Sequence, residues 1–152
     1  MGLLQDKNAL IFGVANANSI AWGITEALHR EGANIALSYA MDKLKRRVQP
    51  LADATGSQFM EECDVNNDAA LDATFAKYAA QYGKLDVLVH AVAFASKDDL
   101  EGDFINTSRE GWNNALMTSA FSLVALARHA APLMTDGGTI LTLTYYGSEK
   151  VM

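Results

Sequence analysis

Five short apolar runs, separated by stretches of helical periodicity, constrain this chain more than any other feature. The runs are Ala9–Gly13, Asn34–Ser38, about Gln58 to Cys63, Leu85–His90 and Gly138–Thr144. Each has the length and composition of a buried strand. A helix placed between consecutive strands forces them parallel, because right-handed crossovers lay each helix on a face of one sheet. The pattern predicts an α/β fold: a Rossmann-type, doubly wound parallel sheet with strand order 3-2-1-4-5, forming one domain over residues 1–152.

The intervening segments carry their own start and stop signals. Ser19 can cap the first helix, which should bury Ile20, Ile24, Ala27 and Leu28 and end at Gly32. Asp42 is placed to cap a second helix with Leu44, Val48, Leu51 and Ala52 on one face. Pro50 falls inside it and would cost about 3 kcal/mol in a straight helix, so a kink or break is expected there. Asp68 or a neighbour should cap a third helix that presents Leu71, Phe75, Tyr78 and Tyr82.

After the fourth strand comes a polar loop from about Ser96 to Asn106, long enough to suggest function. Thr107 and Glu110 then read as a capping box for a long helix through Trp112, Leu116, Leu123 and Leu126, stopped by Pro132. Its apolar residues spread around the helix, which predicts burial on more than one side, including against another subunit.

Charge and composition exclude some classes. A net charge of −6 argues against nucleic-acid binding. The basic run Lys43-Leu44-Lys45-Arg46-Arg47 reads as a solvated helix face, the alternative being a cluster that touches a cofactor phosphate. A single cysteine, Cys63, cannot close an internal disulfide and fits a reducing compartment as a buried packing residue. No leader and no apolar stretch of about twenty residues is present, so a cytoplasmic protein with no membrane segment is expected.

In the predicted strand order, ligands enter at the carboxyl ends of the strands, around the switch point between the first and fourth. The residues there are Gly13, Ser38-Tyr39, Asp64-Val65, Ala91-Val92-Ala93 and Tyr145. Gly13 would let backbone approach a pyrophosphate, with Ser19 and Ile20 at a helix N-terminus whose N–H groups attract anions. Asp64 can accept a hydrogen bond from an adenine amino group while Val65 covers the ring. Ala91 to Ala93 are small enough for a cofactor to lie against. The spacing Gly13, Ser19, Gly23 is not the G-x-G-x-x-G fingerprint, and a turn glycine or a strand-end aspartate would explain Gly13 and Asp64 one at a time. It is their convergence that points to a dinucleotide.

These residues resemble the NADH-dependent enoyl-acyl-carrier-protein reductases of bacterial fatty-acid biosynthesis, a divergent branch of the short-chain dehydrogenase/reductases. The resemblance rests on Gly13-Val14-Ala15 with Ser19-Ile20-Ala21-Trp22-Gly23, on His29-Arg30-Glu31-Gly32-Ala33, on Cys63-Asp64-Val65 and on Leu141-Thr142-Leu143-Thr144-Tyr145. The 98–106 loop and Arg109-Glu110-Gly111 also match. The resemblance implies an oxidoreductase in which Gly13, Ser19, Ile20, Ala40, Asp64, Val65 and Val92 contact NAD, Ala95 contacts substrate, and Tyr145 is the first of two active-site tyrosines. It implies hydride transfer from NADH to a trans-2-enoyl thioester on acyl carrier protein, within a homotetramer.

The departures are as informative. Ala93 stands where the family commonly has glycine. The second strand ends in Ser38-Tyr39-Ala40 without the acid that usually binds a ribose 2′-hydroxyl. NADH is favoured because no arginine directly follows Tyr39, and NADPH stays open through Lys43. Family members are longer, so their second tyrosine, catalytic lysine and closing strands would fall beyond Met152, and the chain as given is expected to be inactive alone. Tyr146 and Lys150 have the Tyr-x-x-x-Lys spacing of ordinary short-chain dehydrogenases, but in a turn rather than on a helix. His90 reads as structurally satisfied rather than as an acid or base. Two other readings stand beside the enoyl reductase: a related short-chain reductase with another substrate, and a non-catalytic truncated product that binds nucleotide weakly or not at all and leaves its fifth strand as an unpaired edge.

Overall fold

A computed structural model of the chain, describing residues 2–150, has five parallel strands in the order β3-β2-β1-β4-β5. They are β1 (Asn8–Phe12), β2 (Asn34–Tyr39), β3 (Phe59–Glu62), β4 (Val87–His90) and β5 (Thr139–Thr142). The helices between them are α1 (Ile20–Arg30), α2 (Lys45–Thr55), α3 (Asp68–Tyr82), the short α4 (Lys97–Leu100), α5 (Arg109–Leu116) and α6 (Ser122–Ala130). The predicted fold class and strand order are those observed.

Alternation along β1 divides the core in two. Ala9 and Ile11 face one side and pack with Ile35, Leu37, Val48, Leu51 and Trp22 under α1 and α2. Leu10 and Phe12 face the other, with Leu71, Phe75, Tyr78, Leu88 and Leu126 under α3 and α6. Both faces of the central strands are therefore covered, which is why they read as continuous apolar runs. The register aligns the strand exits, with Phe12 opposite both Ser38 and His90, Tyr39 opposite Glu62, and His90 opposite Thr142. One rim of the sheet thus gathers the residues on which a site can be built.

The opposite rim is pinned by Asp86, whose side chain is nearly buried. Its carboxylate accepts from the Asn8 N–H at 3.0 Å and from the Lys7 and Lys84 ammonium groups, each at 3.1 Å. Burial alone would raise its pKa, but the Asn8 N–H and the two lysines outweigh it and hold the carboxyl below its usual range.

Several local expectations are corrected. Ile20, the first residue of α1, is 68% exposed; the helix buries Ala21, Trp22 and Thr25 instead, with Ile24 and Leu28 half-buried. Asp42 caps nothing and begins a 3₁₀ turn that leads into α2. That helix runs through Pro50 without a break. Buried Val48, Leu51 and Ala52 hold it to the sheet, and the carbonyl left without the Pro50 donor belongs to exposed Arg46, where water can serve it. Asn67 caps α3, accepting from the Ala70 N–H. Ser108, not Thr107, caps α5 by accepting from the Gly111 N–H, while Thr107 donates to the Phe104 carbonyl.

The 96–106 segment contains α4 and a 3₁₀ turn at Phe104–Asn106. Asp99 organises it, accepting from the Ser96 hydroxyl and the Ser108 N–H, contacts that hold its carboxyl below the usual range. The long helix is not continuous: Met117–Phe121 is a π turn between α5 and α6. Trp112, Leu116, Met117, Phe121 and Val124 are exposed along it.

Candidate functional site

A cleft of about 620 Å³ opens at the carboxyl ends of β1 to β4. One end is formed by the end of β2 and the residues after it, Ser38 to Met41 and Leu44, and by the end of β3 and the residues after it, Glu62 to Asn66. Phe12 to Ala15, Ala91 to Phe94 and two residues of the long helix, Asn114 and Thr118, form the rest. The lining is mostly apolar with a few convergent polar groups, the usual character of a cofactor site.

Gly13 sets the depth of this cleft. Its φ of +105° lies where side chains are strained, and a Cβ there would collide with the Ala91 carbonyl. The β1 exit and the β4 exit therefore approach more closely than any other residue would allow, leaving bare backbone facing the cleft. Ser19 caps α1, accepting from the Trp22 N–H at 3.3 Å while donating to the Asn16 carbonyl at 2.7 Å.

At the β2–β3 end, Asp64 is exposed and one carboxylate oxygen accepts from the Asn66 N–H at 2.9 Å. Val65 is buried beside it. Tyr39 has its phenol pKa raised by burial and by the negative charge of Glu62, Asp42 and Glu61. The Ser38 hydroxyl is buried, lines the cleft and has no hydrogen-bond partner among the described residues.

Of the predicted site residues, Gly13, Ala40, Asp64, Val65 and Val92 line the cleft together. Ser19, Ile20, Ala95 and Tyr145 do not. Ser19 and Ile20 stand at the start of α1, Ala95 lies one residue past the lining, and Tyr145 is 68% exposed beyond β5, its ring against Gly147. Ser38, Met41, Phe94, Asn114 and Thr118 also line the cleft, beyond the contacts that the sequence predicts. For Ser38 a signal existed, since it is a hydroxyl in an otherwise apolar strand at the predicted site rim. For Asn114 and Thr118 none did.

His90 is buried and doubly bonded, with Nε2 2.7 Å from Ser122 Oγ and Nδ1 3.0 Å from Thr142 Oγ1. Because the Ser122 hydroxyl donates to the Thr118 carbonyl, its oxygen must accept from Nε2–H, so Nδ1 accepts from Thr142. Burial lowers the His90 pKa and keeps this neutral form. The Tyr146–Lys150 pair spans a single 3₁₀ turn, with the ammonium 5.5 Å from the centre of the Tyr146 ring, and neither residue lines the cleft. Lys43, Lys45, Arg46 and Arg47 are exposed and make no ion pair among the described residues.

Comparison with known proteins is consistent with this geometry. A family model described as enoyl-(acyl carrier protein) reductase matches residues 13–152. The chain is 48% identical over 151 residues to enoyl-acyl-carrier-protein reductase (NADH) 1 of Rhizobium meliloti, covering 99% of this chain and 56% of the relative. It is 47% identical over 154 residues to a Bacillus cereus enoyl-acyl-carrier-protein reductase (NADH), covering 100% and 60%. Among solved structures, the Aquifex aeolicus enoyl-acyl-carrier-protein reductase (NADH) superposes with a TM-score of 0.96 at 46% identity, covering 99% of this chain and 60% of that one. The Anaplasma phagocytophilum reductase, solved in complex with NAD, gives 0.93 at 43% identity, with 99% and 58% covered. The chain spans 56–60% of the length of these relatives.

Proposed function

The chain belongs to the enoyl-(acyl carrier protein) reductase family, and from that premise we propose that it is a single dinucleotide-binding domain, residues 1–152, serving NADH-dependent reduction of a trans-2-enoyl thioester on acyl carrier protein. The observation that carries this reading is the Gly13–Ala91 approach, which opens a backbone cradle at the switch point of a doubly wound sheet. A Cβ on Gly13 would collide with the Ala91 carbonyl and force these two strand exits apart.

In this reading the adenosine end lies against Ala40, Asp64 and Val65, with the free Asp64 oxygen accepting from the adenine amino group. The pyrophosphate lies near Gly13 and the start of α1, where Ile20 presents its backbone N–H beside Ser19, whose own N–H donates to the Asn16 carbonyl. The other half lies against Val92 and its neighbours, and Ala95 faces substrate. Bound NADH supplies hydride to the β-carbon of the enoyl thioester as negative charge develops on the thioester oxygen. Within this chain Tyr145 is the hydroxyl assigned to that oxygen, in a supporting role.

Preference for NADH over NADPH is supported by Glu62 and Asp64 lining the adenosine end, where a 2′-phosphate would meet like charge. Exposed Trp112, Leu116, Phe121 and Val124 support assembly with further copies, a tetramer in this reading. Among the described residues no helix is long and apolar enough to cross a membrane, and the proposed compartment is the cytoplasm.

Fluorescence titration of the chain with NADH and NADPH, beside an Asp64→Ala variant, tests the reading. We expect saturable NADH binding, weaker NADPH binding and a roughly tenfold loss in the variant, the size of one charge-assisted hydrogen bond. Equal binding by the variant would remove Asp64 from the site, and no binding by the wild type would remove the reading itself.

A further inference from the structure

The wall of the cleft beyond β4 has little to hold it. From Val92 to Ala95 the backbone belongs to no strand or helix and makes no backbone–backbone hydrogen bond among the described residues. Of its side chains Val92 packs against the core at one end, whereas Ala93 and Phe94 are exposed, Phe94 by 52%. Yet Val92, Ala93 and Phe94 line the cleft, and a wall that drifts cannot hold a ligand in one geometry.

What restrains this segment comes from the π turn. Ser119, within Met117–Phe121, accepts from the Phe94 N–H at 3.1 Å and donates to the Phe94 carbonyl at 3.2 Å. Both polar groups of one backbone residue are thereby satisfied by a single hydroxyl. Its neighbours in and beside the turn hold the adjacent strand exits. Thr118 Oγ1 accepts from Asn66 Nδ2 at 2.8 Å beyond β3, and Ser122 Oγ accepts from His90 at the end of β4. The wider winding of a π turn, which often marks a functional site, lets one helix brace the β3 and β4 exits at once.

We propose that Ser119 is a positioning residue for the cleft: its hydroxyl holds Val92–Ala95 in the register that receives the half of the dinucleotide remote from adenosine. This rests on the nucleotide reading above and goes beyond it by naming a residue that does not line the cleft. Loss of the hydroxyl frees the Phe94 backbone and leaves Ala40, Asp64 and Val65 untouched. A merely structural role would weaken every ligand together.

The test compares wild-type, Ser119→Ala and Ser119→Thr chains by titration with NADH and, in parallel, with ADP, which occupies only the adenosine and phosphate portion. Amide hydrogen exchange at Phe94 is followed in each. We expect Ser119→Ala to weaken NADH about tenfold, equivalent to about 1.4 kcal/mol, with ADP affinity changed less than about twofold. Phe94 should exchange faster in that variant, and threonine, which keeps the hydroxyl, should restore both NADH affinity and protection. Unchanged NADH affinity in Ser119→Ala, or parallel loss of NADH and ADP, overturns the proposal. Failure of threonine to restore binding overturns it as well. If the wild type binds neither ligand, the nucleotide reading falls and this inference falls with it; if the wild type binds both, only the positioning role is at stake.

Discussion

Gly13→Ala isolates the feature on which the cleft depends. Two costs add at this position. A side chain at φ +105° is strained, at about 1–2 kcal/mol by comparison with the left-handed region. The new Cβ also meets the Ala91 carbonyl, and relieving such an overlap typically costs about 1–3 kcal/mol. Together these predict a loss of about 2–5 kcal/mol, or roughly 5–15 °C in Tm for a domain of this size. Because the relieving shift moves the β1 or β4 exit into the cleft, NADH affinity should also fall at least about tenfold. Gly137→Ala is the control. Its φ is +80°, but nothing lies within 4 Å of a Cβ built there, so it should cost only the strain and leave NADH binding unchanged. The assay is thermal unfolding of the two variants with NADH titration below their transitions. Equal losses of Tm in both, with NADH affinity intact in both, would refute the close-approach argument.

Two further predictions concern pH and stability. Asp86→Asn should destabilise the chain by about 1–3 kcal/mol at pH 7, chiefly through weakened acceptance from the Asn8 N–H, since both lysine partners are partly exposed and add little. Because the folded pKa of Asp86 is depressed, its contribution is complete above the ordinary value of 3.8 and lost as pH falls through the folded value, so urea denaturation should show wild type and variant converging in acid. His90 has a lowered pKa because burial penalises its charge, so below its ordinary value of 6.5 the unfolded chain takes up a proton that the folded chain resists. Stability should therefore fall as pH drops below 6.5, and His90→Gln should flatten that slope in denaturation curves. His129 acts in the opposite sense. Partial burial works against its charge, but the Ala125 carbonyl and Asp72 outweigh it, so its stabilisation is full below 6.5 and fades as pH rises. The His90 comparison is accordingly made with His129→Gln in both chains.

Much of the fold was legible in the linear pattern, and the reason is visible in particular residues. Ala9 and Ile11 against Leu10 and Phe12 declare a strand buried on both faces. Gly13, Asp64, Val65 and Val92 were legible as a site because a parallel sheet collects its strand exits on one rim. The caps were legible only to within a residue. Asn67 beside Asp68, and Thr107 beside Ser108, are chemically equivalent candidates, and the backbone angles of the folded chain choose between them. Ile20 shows a different limit: periodicity identifies the apolar side of a helix but not how much of that side its neighbours will cover.

By itself, then, the sequence determined the class of fold, the strand order and the rim on which the cleft opens, because apolar period and strand–helix alternation are local properties with few global solutions. Only the tertiary structure decided the π turn, the neutral bonding of His90 between Thr142 and Ser122, and the tether from Ser119 to Phe94. The bonds of His90 and of Ser119 join groups more than twenty residues apart in the chain. Hydrogen bonds of that kind depend on a matching distance and direction between elements already packed, and no periodicity in the chain records them.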